Sequence, residues 1–121
     1  MAGIIITTDL TPKGASKLAR EVARDLEFSI TRLDDQAFQA TKGSLASSIF
    51  LGAFVLYCNF EVEIQDSRYE GEVDIIINRN IPWWTGLIGL RRVKTRAKEL
   101  ATAIADAIKQ DGNQVLKKKE F

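Results

Sequence analysis

The spacing of apolar residues changes from one stretch of the chain to the next, and each spacing predicts an element. Gly3 to Thr8 is dense in Ile and Thr and predicts a strand. Thr11-Pro12 follows as an N-cap with proline at the first helical position. Ala15, Leu18, Ala19, Val22 and Leu26 then recur at helical spacing, so a helix is predicted over 12–26 with Lys17, Arg20, Glu21, Arg24 and Asp25 on its wet side. Phe28 to Arg32 alternates as a second strand, turned by Asp34-Asp35. Ala37 to Thr41 predicts a third, broken by Lys42-Gly43, and Leu45 to Leu51 a fourth.

From Phe54 the alternation is strict. Phe54, Leu56, Cys58, Phe60, Val62 and Ile64 share one face, with Val55, Tyr57, Asn59, Glu61, Glu63 and Gln65 on the other. A second alternating run follows, Tyr69, Gly71, Val73, Ile75 and Ile77 against Glu70, Glu72, Asp74, Ile76 and Asn78. Two such runs around a short polar turn predict a β-hairpin. If Asp66-Ser67 is the loop, Ile64 pairs with Tyr69, Val62 with Gly71 and Phe60 with Val73, and both apolar sets stay inward. After Asn80-Ile81-Pro82, the stripe Leu90, Val93, Ala97, Leu100, Ala101, Ile104, Ala107 and Ile108 predicts a long final helix, with Gly112 as its stop.

The expected fold class is therefore α+β, in the order β-α-β(3–4)-α. An antiparallel sheet with two helices on one face would bury every stripe. This order is similar to the arrangement of the TATA-binding-protein-like folds, a resemblance at the level of fold that carries no activity with it. One domain is expected over 1–113, followed by a solvated basic tail over 114–121.

Composition narrows the chemistry. The chain has 121 residues, 17 Lys and Arg against 16 Asp and Glu, and a formal net charge of +1, which argues against a surface built to coat nucleic acid or anionic membrane. There is no histidine. Imidazole-based triads, proton shuttles and His-containing zinc sites are thereby excluded. A single cysteine, Cys58, forbids an intrachain disulfide. With no basic, apolar leader at the first residues, a cytoplasmic location is expected. Gly43 to Phe60 lacks charge over eighteen residues, the lower edge of spanning length, but its serines and its alternation predict buried strands instead.

Three constellations stand out. The outward hairpin face would oppose Glu61 to Glu72 and Glu63 to Glu70, with Asp74 next in line. Such a patch could receive a hard cation or a basic partner, or be a charged open face that resists aggregation. Beside it Val55, Tyr57 and Ile76 form an apolar patch, an interface or a surface that the chain itself covers. Trp83-Trp84, at the mouth of the last helix, provides large contact area or anchors the helix entry. Arg91, Arg92 and Lys94 follow the turn Gly86-Leu87-Ile88-Gly89, where an anion or a partner could bind, although a solvated face explains them as well. Cys58, in the inward series, reads as a small buried hydrophobe.

No catalytic, metal or cofactor residues are assigned, and no cofactor is expected. The expected function is a non-catalytic binding or assembly module that uses the open sheet face and the Trp loop, with a homodimer or a protein partner. The alternatives are a carrier of a small apolar ligand between sheet and long helix, and a membrane-peripheral domain. Nucleic acid is not expected as a partner.

Overall fold

The computed structural model describes residues 3–42, 58–67, 70–80 and 86–120, with the backbone alone for 42, 58, 79–80 and 86–93. The elements are β1 (Gly3–Thr8), α1 (Pro12–Asp25), β2 (Ser29–Asp34), β3 (Ala37–Lys42), β4 (Cys58–Asp66), β5 (Val73–Asn80), α2 (Gly86–Gln110) and β6 (Val115–Glu120). The predicted strand over 45–51 lies outside the described residues, as do 54–57 of the alternating run.

All six strands form one antiparallel sheet in the order β2-β3-β4-β5-β1-β6. β2 to β5 meander, and β1 returns to pair with β5. α1 carries the chain from β1 to the far edge, and α2 carries it from β5 to the near edge. These two crossovers run in opposite directions across the sheet and leave strands of opposite sense. Crossovers of one handedness must then lie on the same face, and the right-handed preference makes that the default. Both helices do pack there, against each other and against the sheet.

Local chemistry explains the ends of the helices. Thr11 caps α1, its Oγ1 accepting the Gly14 N–H at 3.1 Å, with Pro12 directly after it. Both helices close with the same pair of backbone bonds. In α1 the Phe28 N–H donates to the Ala23 carbonyl and that of Glu27 to Arg24. In α2 the Asn113 N–H donates to the Ile108 carbonyl and that of Gly112 to Lys109. This closure needs one residue at positive φ. Gly112 provides it at +83°, whereas in α1 the position is held by Glu27, at +70°.

The core lies between the helices and the inner sheet face. Ile6, Phe60, Val62, Ile75, Ile77, Leu100, Ile104 and Ile108 are all fully buried. The Phe28 and Phe60 rings meet in a tilted contact with centroids 5.8 Å apart. Among the described residues no helix is long and apolar enough to cross a membrane.

Two expectations are corrected. The β4–β5 loop is not the two-residue Asp66-Ser67 turn: Asp66 pairs with Val73, Ile64 with Ile75 and Val62 with Ile77. Residues 67–72 form the connection, with the Ser67 N–H donating to the Glu72 carbonyl and Gly71 at φ +82°. The pairing has moved by an even number of positions, so every apolar residue still faces inward, and alternation cannot distinguish registers that differ by two. On its other side β5 sets the same residues, Ile77 and Ile75, opposite Ile4 and Ile6 of β1. The second correction concerns the C-terminal tail. Val115–Glu120 is an edge strand on β1, although most of its side chains are exposed as expected.

Candidate interaction face

The sheet face away from the helices gathers four of the candidate residues, Glu61, Glu63, Asp74 and Ile76. Registers on either side of β1 and β5 order them into rows. Lys119 of β6 lies opposite Ile5 of β1, Ile5 opposite Ile76 of β5, and Ile76 opposite Glu63 of β4. The neighbouring row runs Lys117, Thr7, Asp74, Gln65, and on the other side Gly3, Asn78 and Glu61 lie in line. The face is thus sorted by charge. Lysines line one side and glutamates the other, three strands apart at roughly 4.8 Å per strand, or about 14 Å. Between them lies the half-buried pair Ile5 and Ile76.

The polar groups differ in how they are satisfied. The Thr7 hydroxyl donates to Asp74 Oδ1 at 2.7 Å, so Asp74 is committed within its own row. Gln65 Nε2 donates to Glu63 Oε2 at 3.0 Å. Glu61 is held above the usual carboxylate range, first because it is partly desolvated and then because the Glu63 carboxylate stands two residues away on the same face. Among the described residues none of Glu61, Glu63, Lys117 and Lys119 has an ion-pair partner within 4.0 Å. A groove of about 410 Å³ runs from Ser67 and Glu72 past Asp74 and Thr7 to Leu116 and Lys117.

The corrected register disperses the expected acidic patch. Glu61 faces Asn78 and Glu63 faces Ile76, so neither opposes another acid, while Glu70 and Glu72 belong to the 67–72 connection. Among the described residues, no three acidic or sulfur side chains converge where a metal could sit. Ile76 does lie on the outward face, but in its centre beside Ile5. Val55, Tyr57, Trp83 and Trp84 lie outside the described residues. Arg91 and Arg92 fall within α2, where the backbone alone is described, and Lys94 is exposed further along that helix.

Sequence reasoning missed Ile5, Lys117 and Lys119 as members of this face. The run Val115-Leu116-Lys117-Lys118-Lys119-Glu120 has no apolar alternation, and a strand buried on neither face leaves no such signature. Its inner side is polar too. Lys118 Nζ donates to Thr102 Oγ1 of α2 at 3.4 Å, and Glu120 pairs with Lys98 at 3.7 Å.

No protein-family model matches the chain, and comparison with curated proteins finds no match.

Proposed function

We propose that this chain is a non-catalytic binding or assembly module whose contact surface is the helix-free face of its sheet. One observation carries the proposal: that face has an apolar centre, Ile5 and Ile76, between the lysines of β6 and the glutamates of β4, none of which has an ion-pair partner among the described residues. An apolar centre with a charged rim is the usual anatomy of a protein–protein contact. The absence of histidine supports binding over proton-transfer chemistry. We place the protein in the cytoplasm, on the strength of its single cysteine.

The test is solvent access to this face. In dilute protein, a soluble paramagnetic agent should attenuate the methyl signals of Ile5 and Ile76 strongly, and leave those of the fully buried Ile6 and Ile75 nearly untouched. Equal protection of all four in the dilute monomer would mean that the chain covers its own face, and the proposal would fall.

A further inference from the structure

We infer that the partner of the helix-free face is a second copy of this chain, placed by a two-fold axis that runs parallel to the strands between β1 and β5. The inference rests on the contact surface proposed above and names its occupant.

A two-fold axis in the interface along the strand direction exchanges the two sides of the face and keeps each residue in its own row. The lysine side of one copy then meets the glutamate side of the other. Lys119 comes over Glu63, with Lys117 and Glu61 one row to either side, and Ile5 over Ile76; the same contacts recur across the axis. A two-fold axis perpendicular to the strands would instead set lysines on lysines and glutamates on glutamates. Charge therefore selects one of the two isologous arrangements. Lys119 of each copy would thereby meet Glu63 of the other, an opposite charge that neither side chain has among the described residues of the isolated chain.

Geometry permits the arrangement. Sheets stack face to face about 10 Å apart, a distance that Lys and Glu side chains from opposite sheets can bridge together. With the axis between β1 and β5, the four strands β4, β5, β1 and β6 of each copy overlap over about six residues, an area on the order of 400 Å² on each copy, in the range of weak, transient contacts. A dimer that forms and dissociates in the micromolar range is the corresponding expectation. Salt should weaken it, because the ion pairs lie on either side of the apolar centre and not within it.

The test uses reciprocal charge reversal in the full chain. One variant carries Lys117→Glu with Lys119→Glu, the other Glu61→Lys with Glu63→Lys. Sedimentation velocity from about 1 to about 500 μM should show a reversible dimer for the wild type. Each variant alone should dimerise at least about tenfold more weakly, while an equimolar mixture of the two should recover a heterodimer. Circular dichroism establishes that each variant is folded, and recovery in the mixture could not come from unfolded chains. A wild type that stays monomeric over the whole range would overturn the inference, and so would variants that dimerise as well as the wild type or a mixture that recovers nothing. If the wild type is monomeric, the methyl experiment separates the two proposals. Accessible Ile5 and Ile76 would leave the face free for a different partner, and protected ones would remove the face as well.

Discussion

Asp9, one residue beyond β1, holds the start of the last strand: its Oδ1 accepts the backbone N–H of Gln114 at 2.9 Å and the side-chain amide of Asn113 at 3.3 Å. The Thr8 hydroxyl completes the clasp by donating to the Gln114 carbonyl at 2.8 Å. Residues more than a hundred positions apart thus fix where the turn after α2 releases the chain into β6.

The clasp makes stability depend on acid. The Gln114 N–H, aided by Asn113, keeps the Asp9 carboxyl below its usual range. The folded state then binds this proton less readily than the unfolded chain. The stabilisation is complete above the unfolded value of about 3.9 and is lost as pH falls through the lower folded value. Urea midpoints of wild type and Asp9→Ala should therefore differ at pH 7 and converge in strong acid. Amide exchange at Gln114 should be faster in the variant at neutral pH.

Glu61 should show the opposite slope. Burial and the neighbouring Glu63 raise its folded value, so the folded state holds the proton more tightly than the unfolded chain. Its contribution to stability falls as pH rises from the unfolded carboxylate value through the folded one. Glu61→Gln should remove that decline and be more stable than the wild type at pH 7. A titration of the Glu61 carboxyl carbon by NMR gives the direction independently.

The start of α1 offers a coupled pair. Thr11→Ala should cost about 0.5–2 kcal/mol through the lost cap. Gly14→Ala would ordinarily gain up to about 1 kcal/mol in a helix. Here, however, an added Cβ would sit 3.0 Å from Thr11 Oγ1, the cap itself. The Gly14→Ala gain should be smaller with Thr11 present than in the Thr11→Ala background, as measured by a double-mutant cycle in urea.

The two helix ends make a matched comparison. Glu27→Gly removes a side chain from a left-handed residue and should stabilise by about 0.5–1 kcal/mol, the strain relieved outweighing the added chain entropy. Gly112→Ala places a side chain into the same conformation at the end of α2 and should destabilise by about 1 kcal/mol. Equal effects of the two changes would contradict the shared closure.

The hairpin register can be checked directly. With Glu72 opposite Glu61, Glu72→Lys would stabilise by roughly 0.2–1 kcal/mol. In the register observed, Glu72 sits in the connection, and the same change should stay within about 0.5 kcal/mol. Nuclear Overhauser contacts should join Ile64 to Ile75, not Ile64 to Tyr69.

Periodicity and end signals alone determined most of the secondary structure and the division of faces. Thr11-Pro12, the Ala15–Val22 stripe and Gly112 mark the helices because capping and one-sided burial act within a few residues. Phe60, Val62, Ile64, Ile75 and Ile77 declare the inner face because a strand has a period of two. That same period hid the register, since all even shifts look alike until the strands pair and set Ile64 against Ile75 and Val62 against Ile77. Tertiary structure also decided that Val115–Glu120 is a strand. Its backbone is held by the edge of β1 and the Asp9 clasp, neither of which leaves a mark in the local pattern. The charge-sorted face exists only once those two strands are placed, because its lysines, isoleucines and glutamates come from both ends and the middle of the chain and meet through long-range pairing.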